Sequence, residues 1–437
     1  GSEMCIRDRH DDPSEYEPRH SIRKYETLVP DNEDGDESTE HDAALKLLEE
    51  ALGDIPRAED LHQPASKSRV DGPFHWIPRY NHTSWKEAQR MSMSMARTTK
   101  PPGASAAPPM SSTPSAADGE PVLALRDSLL LSQRSSTIAR QMGMIERELM
   151  AGIDWSELSE PSWDQHTVRQ EQWQLEYQDY VMFRIRQTMN DEPSEGQKDA
   201  LRQTIHGRGI HMLIARFNRT CAWVASHIVR SNNIQERVAI VNKFIRIAWH
   251  CYRQGNMESL CQIMFGLQSP WIARLQQTWE QVSLWELRAF EALRRFTSPR
   301  EQFAFLRYSM REAIETNIPS RRFSPLTTSS SPYVPFFGQF VSDLSAIDSL
   351  ASFVDASGMP NTMPLYDDQE LSLSWDALVN VYRLRIKSHI VREFITLQRC
   401  QRQAPAPPME LPILIEVLQL DTLSAMAIQS TSLALEP

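Results

Sequence analysis

The chain of 437 residues carries 57 acidic and 46 basic side chains, for a net charge of −11. This acidic balance argues against nucleic acid as the main ligand, because phosphate binding requires clustered lysine and arginine. The five cysteines lie scattered, without metal-ligand spacing, and no apolar run is long enough to cross a membrane, so we expect free thiols in a soluble intracellular protein.

The first 120 residues are predicted to be mostly disordered and of low complexity. The run Asp31–Asp42 is acidic and has little to bury, and Met91–Ala117 is a linker rich in serine, alanine and proline. A short helix is expected at Ala43–Leu52, where apolar residues recur at helical spacing. The remainder, residues 121–437, is predicted to form one folded domain.

From Pro121 onward helical periodicity dominates and period-two alternation is rare, which predicts an all-α fold. The predicted helices are Ile138–Met150, Asp164–Arg186, Ile214–Val229, Gln235–Tyr252, Met257–Leu267, Ile272–Phe296, Glu301–Ile314, Pro335–Leu350 and Leu371–Arg399. The loop Pro319–Tyr333 leads into the stretch Pro335–Leu350, where Pro335 suits a first helical turn. Gly338 in this stretch would let another backbone approach closely.

No catalytic pattern is recognisable in the chain. It lacks a GxSxG nucleophile elbow, an HExxH metal motif and a glycine-rich phosphate loop. On these motifs alone, the sequence indicates a helical interaction domain whose partner is not specified.

The order of short motifs resembles the catalytic domain of Ras-family guanine nucleotide exchange factors, the type also found in Son-of-sevenless. The resemblance runs from about Ser135 to Pro437, opening with IARQMGMIE and closing with SLALEP. Between them, PFFG at residues 335–338 is similar to the family's PFlG element. The matched family positions are Gln141, Glu146, Phe217, Asn218, Trp223, Arg237, Leu275, Trp279, Pro335, Gly338, Asn380 and Arg383.

This resemblance implies a guanine nucleotide exchange factor rather than an enzyme that makes or breaks bonds. It would bind a Ras-like small GTPase of the Ras, Rap or Ral type and promote GDP release with a protruding helical hairpin that displaces the first switch segment. No cofactor is expected, because GDP, GTP and Mg²⁺ belong to the partner GTPase. The implied GTPase-binding residues are Arg216, Gln268, Ala273, Arg274, Phe303, Phe336, Asp343, Ser345, Asp348 and Ser349. The expected location is the cytoplasm, with recruitment to the inner face of a membrane through the GTPase.

Among the departures from the family pattern, three bear most on exchange activity. Ser349 stands where Son-of-sevenless-like hairpins carry an acid, with Asp348 as a substitute source of charge after a small rotation. Gln268 replaces the usual asparagine, and Ala273 replaces a larger polar residue. These departures leave open a GTPase-binding scaffold that has the same fold and weak or no exchange activity. An unrelated helical adaptor is a third alternative.

Many relatives also carry a separate helical domain before the catalytic one, which steadies the hairpin. Residues 1–120 show no pattern of such a domain.

Overall fold

The computed structural model describes residues 35–54, 129–159, 170–188, 205, 207–299, 302–316, 333–355, 357–359, 378–403 and 408–436. This part of the chain consists almost wholly of α-helices, which confirms the predicted all-α class. Its strands are β1, Phe353–Val354, and β2, Leu378–Val379, which pair antiparallel with Phe353 opposite Val379. None of the described helices is both long and apolar enough to span a bilayer.

The helices are numbered in chain order. The first are α1 Gly35–Asp54, α2 Leu129–Ser132, α3 Ser135–Gly152, α4 Trp155–Ser159, α5 Gln170–Thr188, α6 Gly209–Arg230, α7 Ile234–Arg253 and α8 Met257–Leu267. The later ones are α9 Pro270–Ala273, α10 Gln276–Glu280, α11 Leu284–Phe296, α12 Ala304–Thr316, α13 Phe337–Asp348, α14 Val381–Gln403, α15 Leu411–Gln419 and α16 Ala425–Leu435.

The core of the domain is formed by α3, α6, α7 and α8, which pack against one another. Each helix contributes an apolar face, as the sequence periodicity predicts. Leu149 of α3, Trp223 of α6 and Phe244 of α7 are all fully buried. The rings of Trp223 and Phe244 meet edge-on with centroids 5.1 Å apart. Burial of each such side chain stabilises the fold by about 1.5–3 kcal/mol.

The predicted helix Ile272–Phe296 is wrong as one element, because the structure divides it into α9, α10 and α11. A long-range contact from Glu436 lies at the start of α10. The Glu436 carboxylate accepts the backbone N–H groups of Gln277 and Thr278, at 3.0 and 3.1 Å, and the Thr278 hydroxyl at 2.8 Å. These groups lie in the first turn of α10, where N–H groups lack partners within their own helix. Periodicity alone does not reveal such a contact.

The predicted helix Leu371–Arg399 also begins later than expected, since α14 starts at Val381. The two residues of β2 pair with β1, and Asn380 then caps the helix. The Asn380 side chain accepts the backbone N–H of Arg383 at 3.1 Å, the geometry of an N-cap. Residues 371–377 lie outside the described residues, as do 317–332, which contain most of the predicted loop Pro319–Tyr333.

Helix α1 lies within the region predicted to be mostly disordered, and it is longer than the expected helix Ala43–Leu52. It includes residues 35–42 of the acidic run, which was expected to have little to bury. Leu45, Leu48 and Leu52 of α1 are at most 2% exposed, and the helix packs against α11. Residues 1–34 and 55–128, including Met91–Ala117, lie outside the described residues. The boundary between segments 1–120 and 121–437 therefore stays a prediction.

Candidate functional site

Helices α13 and α14 form a helical hairpin. Phe337 and Phe340 of α13 meet the Phe394 ring of α14 edge-on, with centroids 5.6 and 5.3 Å apart. The start of α13 thus lies beside the second half of α14, while Asp348 at its end contacts Arg383 near the start of α14. The two helices therefore run in opposite directions. The apolar face of α13 is buried in this contact and in the domain behind it.

An ionic cluster of Asp348, Arg383 and Lys387, here called the hairpin clamp, joins the end of α13 to the start of α14. Asp348 Oδ1 accepts Arg383 Nη2 and Lys387 Nζ, both at 2.7 Å. Lys387 Nζ also donates to the Ser159 carbonyl at 2.7 Å, which attaches the clamp to the end of α4. Because the Asp348 side chain is only 9% exposed, these charge-assisted bonds are little weakened by water.

Backbone groups complete the clamp. Arg383 Nε donates to the Ile347 carbonyl at 3.3 Å, and Asn380 Nδ2 donates to the Ala351 carbonyl at 2.9 Å. The last carbonyls of a helix have no partner within that helix. Asn380 and Arg383, matched to the family by their sequence, therefore have a structural role in closing the hairpin.

A second ionic anchor holds the middle of α13 to α12. Asp343 accepts both terminal nitrogens of Arg307, each at 2.6 Å, in a bidentate pair. Arg307 Nε donates to the Gln302 carbonyl at 2.6 Å, which fixes the turn before α12. The Asp343 side chain, implied by resemblance as a GTPase contact, is buried in this pair. In this structure it positions the hairpin helix instead of forming part of an open surface.

A third anchor holds the start of α13 to α8. Glu258 Oε2 accepts the backbone N–H of Phe337, the first residue of α13, at 2.7 Å. A carboxylate is favoured at this end of a helix by the unpaired N–H groups and the helix dipole. Burial, and secondly the nearby Glu146 carboxylate, raise the pKa of Glu258 from 4.5 to about 8. The anchor is therefore sensitive to protonation near neutral pH.

We expect a Glu258→Gln substitution to change how stability depends on pH. Between pH 4.5 and 8 the folded protein keeps a proton on Glu258 that the unfolded chain releases, so this group's contribution to stability falls as the pH rises. Glutamine still accepts the Phe337 N–H but does not titrate. The free energy of unfolding of the wild type minus that of the variant should therefore fall by up to about 1.4 kcal/mol per pH unit over this range.

Urea denaturation at several pH values measures this difference. Glu280→Gln, at an exposed position of α10, is the matched control and should show no such trend. If the difference in free energy of unfolding between wild type and Glu258→Gln stays constant with pH, the expectation is contradicted.

An aromatic cluster lies where α13 begins. The Phe336 ring is buried, and the rings of Phe303, Phe217 and Phe265 lie 5.2, 5.8 and 6.0 Å from it. Phe303 has φ of 61°, a left-handed conformation that is unusual for an aromatic residue and often marks a functional segment. Phe336 and Phe303, expected to line a hollow for an anchor from the partner, here contact each other, while Phe303 keeps part of its surface exposed.

Gly338 is required for a different reason from the one expected. The sequence alone predicts that it lets another backbone approach closely. In the structure, a Cβ atom at Gly338 would lie 2.3 Å from the Phe336 ring, well inside contact distance. The glycine therefore makes room for the Phe336 side chain, and PFFG is one packing unit.

The outward part of α13 carries the small polar residues that the resemblance implies as GTPase contacts. Ser345 is half-buried, and Ser349 is exposed just beyond the end of the helix. Ser349 Oγ donates to the Ala346 carbonyl at 2.7 Å. The expectation that Asp348 replaces the missing acid by a small rotation is not supported, because rotation would break its bonds to Arg383 and Lys387.

Gln268, Ala273 and Arg274 lie together around the short helix α9. Gln268 Nε2 donates to the Met264 carbonyl at 3.0 Å, and Ala273 is exposed. Arg274 Nη1 donates to the Ser432 carbonyl at 2.7 Å, so its guanidinium fixes α16 against α9. Ser432 Oγ in turn donates to the Trp271 carbonyl at 2.6 Å. The SLALEP ending therefore stabilises two neighbouring elements. Ser432 bonds Trp271 and Arg274 at α9, and Glu436 bonds the first turn of α10.

Arg216, implied as a GTPase contact, is a core residue in this structure, and its contact with a GTPase stays a prediction. Its side chain and that of Glu146 are 0% exposed, and Arg216 Nε lies 2.6 Å from Glu146 Oε1. Arg216 Nη1 also donates to the Tyr177 hydroxyl at 2.7 Å and to the Val417 carbonyl at 2.8 Å. The guanidinium joins α3, α5, α6 and α15 and does not reach the surface.

Most other family positions have structural roles. Gln141 Nε2 donates to the Pro408 carbonyl at 2.8 Å, and Trp279 Nε1 donates to the Ile272 carbonyl at 3.0 Å. Arg237 Nε donates to the Thr278 hydroxyl at 3.1 Å and lies 3.7 Å from Glu436. The residues of this group with buried side chains are Gln141, Trp223, Arg237, Leu275 and Pro335. Asn218 is exposed, and no contact in the structure explains it.

Sequence reasoning missed Glu258, Arg307 and Lys387, the residues that complete the three anchors. Arg383 and Lys387 are one helical turn apart, and this spacing was the only available signal, since it places two cations on one face of α14. Nothing near Glu258 or Arg307 in the sequence indicates a partner on α13. Among the described residues, no group of three or more histidine, cysteine, aspartate or glutamate side chains could hold a metal ion.

The described structure is thus an almost wholly helical domain with a helical hairpin, and the first helix of this hairpin is held at its start, middle and end. The family model of the RasGEF domain matches residues 137–385, which is more than half of the chain. The chain belongs to the RasGEF domain family.

Three relatives illustrate how far the similarity extends. Guanine nucleotide exchange factor LTE1 of Kluyveromyces lactis is 26% identical over 49% of this chain and 13% of its own length. Rap guanine nucleotide exchange factor 5 of Homo sapiens is 36% identical over 22% of this chain and 16% of its own length. Ras-specific guanine nucleotide-releasing factor 1 of Mus musculus is 27% identical over 51% of this chain and 15% of its own length. The match therefore spans only a small part of each of these longer proteins.

Proposed function

We propose that this chain binds a Ras-like small GTPase and accelerates the release of its GDP. Membership of the RasGEF domain family supports the proposal, as do the names of the relatives, which are exchange factors or releasing factors for Ras or Rap. GDP, GTP and Mg²⁺ are the partner's ligands in this proposal. Recruitment to the inner face of a membrane through the GTPase is part of the same proposal.

The observation that carries the proposal is the anchoring of α13. Glu258 holds its start, Arg307 holds its middle, and the hairpin clamp holds its end. An element that has to displace a segment of its partner must already be ordered, since ordering it on binding would consume binding free energy. The anchors leave Ser345 and Ser349 accessible on the outer part of the helix.

Exchange activity of this kind is a coupling between two binding equilibria. The hairpin would bind the nucleotide-free GTPase better than the loaded one by entering the region of the first switch segment. By linkage, nucleotide binding then weakens the GTPase's affinity for the hairpin by the same factor. The contribution of this chain is the fixed position of α13, with the surface around Gln268 and Ala273 as a second contact.

A second candidate function is binding without exchange, and a specific observation favours it. The carboxylate of Asp348 is bonded to two cations, and Ser349 offers only a hydroxyl that is already bonded to its own helix. The described part of the outer hairpin face therefore has no free acid near Ser349 to compete with nucleotide phosphate. A scaffold would bind the GTPase and leave its nucleotide in place.

Release of a fluorescent GDP analogue from Ras, Rap and Ral types separates the two candidates. Dose-dependent acceleration with at least one GTPase supports exchange activity. Binding with an unchanged release rate supports the scaffold. If the chain neither binds any of these GTPases nor accelerates release, both candidates are rejected.

We expect Ser349→Glu to raise the release rate roughly tenfold, because an added carboxylate near the phosphate position of the partner destabilises bound nucleotide by about 1.4 kcal/mol. The matched control is Ser132→Glu, whose hydroxyl makes the same bond to the carbonyl three residues earlier at an exposed site on α2. Equal rates for wild type and Ser349→Glu, with normal GTPase binding, would contradict this expectation.

A further inference from the structure

Helix α1 has the pattern of a docking helix. Leu45, Leu48 and Leu52 recur at three- and four-residue spacing on one face and are at most 2% exposed, whereas Leu47 on another face is 60% exposed. Its acidic residues outnumber its single lysine. Most of the stability of a helix in a protein comes from packing of its amphipathic face, so the order of α1 depends on the surface that it covers.

That surface, here called the α1 groove, lies between the end of α7 and the start of α11. It includes Trp249, His250 and Arg253 of α7 and Trp285 and Arg288 of α11. The His41 ring of α1 stacks on Trp285 with centroids 6.1 Å apart and lies edge-on to His250 at 5.2 Å and to Trp249 at 6.3 Å. The groove thus presents an aromatic floor to the apolar side of α1.

The edges of the α1 groove complement the charge of the helix. Glu40 lies 2.5 Å from Arg253, and Glu49 lies 2.8 Å from Arg288. One pair belongs to the α7 side and the other to the α11 side, so α1 is held at two points along its length. Such exposed pairs contribute little affinity, but they select an acidic partner and fix its direction.

The docking of α1 is reversible because no short connection in the chain holds this helix in the groove. Residues 55–128 separate it from α2 in the chain, so its local concentration at the groove is finite and set by this connection. A second helix of the same chemistry therefore competes with α1 by mass action.

We propose that the α1 groove is a docking site for acidic amphipathic helices and that residues 35–54 are its exchangeable occupant. The residues of this site differ from those of the hairpin and of the surface around Gln268. Its occupancy is measured by binding, so its test does not depend on the exchange activity proposed above.

The test uses the full chain and a fluorescent peptide of residues 35–54. In wild type the resident helix blocks the groove, whereas Leu45→Glu/Leu48→Glu removes its apolar contacts and opens the site. Fluorescence anisotropy should show the peptide binding the double variant at least tenfold more tightly than wild type, with an affinity that falls as salt rises. Equal affinity for both chains, or no binding to either, would overturn the proposal.

Two further variants keep the test decisive. Leu47→Glu changes an exposed leucine of the same helix and should bind the peptide as weakly as wild type does. If the double leucine variant loses its far-ultraviolet circular dichroism, Glu40→Arg/Glu49→Arg replaces it, because these surface reversals place like charges against Arg253 and Arg288. A peptide with these two reversals should then prefer a chain carrying Arg253→Glu/Arg288→Glu, and failure of this charge exchange would also overturn the proposal.

Discussion

Replacing Asp348 by alanine is expected to slow GDP release from the partner GTPase at least about tenfold while most of the helical domain stays folded. The substitution removes the acceptor shared by Arg383 and Lys387, and it leaves two cations one helical turn apart without their carboxylate. The end of α13 is then held to α14 only by the weaker bonds of Arg383 and Asn380 to the Ile347 and Ala351 carbonyls. A tenfold effect requires only about 1.4 kcal/mol of lost preference for the productive hairpin position.

Two measurements are needed to interpret the Asp348→Ala variant. Initial rates of fluorescent GDP release report the function, and amide hydrogen exchange of residues 337–348 reports the order of α13. Glu291→Ala is the control, since Glu291 forms an exposed pair with Arg294 within α11 and its loss should change neither quantity. Faster exchange of α13 amides with an unchanged release rate would show that the clamp is not needed for function.

Replacing Arg216 by methionine is expected to lower the free energy of unfolding by about 3–5 kcal/mol. The substitution keeps much of the volume but leaves the buried Glu146 carboxylate with Gln262 Nε2, at 3.1 Å, in place of its arginine partner. It also removes the donor to Tyr177 and to the Val417 carbonyl. The loss should appear in urea denaturation of the free chain, without any GTPase present.

A neighbouring arginine provides the control for Arg216→Met. Arg219, on the same helix, donates to the carbonyls of Gln419 and Leu420 but contacts no carboxylate in the described structure, so Arg219→Met should cost only about 1 kcal/mol. Adding Glu146→Leu to Arg216→Met should recover part of the lost stability, because the uncompensated buried charge is then gone. If Arg216→Met instead leaves stability unchanged and abolishes GTPase binding, the residue is a contact after all.

The position of α13 is determined by residues on three other helices. Glu258 on α8, Arg307 on α12 and the cations on α14 each bond a different part of it. Glu258, Arg307 and Arg383 lie inside the region matched by the RasGEF domain model, and Lys387 lies two residues beyond its end. The domain therefore supplies contacts that hold its own hairpin, and each can be removed separately by one substitution.

The three anchors also sharpen the choice between exchange factor and scaffold. The Asp348 carboxylate is bonded within the clamp, which does not favour it as a substitute for an acid at position 349. The question then reduces to whether a hydroxyl at Ser349, with Ser345 one turn earlier, is sufficient for nucleotide release. The response to Ser349→Glu answers it directly.

The sequence by itself determined the helical class, most helices of the core and the family. Apolar spacing in α6, α7 and α8 predicts the helices because burying one face is a local property of each segment. The short motifs indicate the family for a related reason, since many of them have fixed structural roles. Asn380 caps α14, Gly338 makes room for the Phe336 ring, and Glu436 bonds the first turn of α10.

Only the tertiary structure decided which polar residues serve the fold and which are available to a partner. Arg216 and Asp343 match positions expected to contact a GTPase, yet both are buried in ion pairs whose partners lie 70 and 36 residues away in the chain. The docking of α1, across residues 55–128, is a contact of the same kind. Such pairings leave no periodic signal, because they depend on where distant helices meet and not on the spacing within either one.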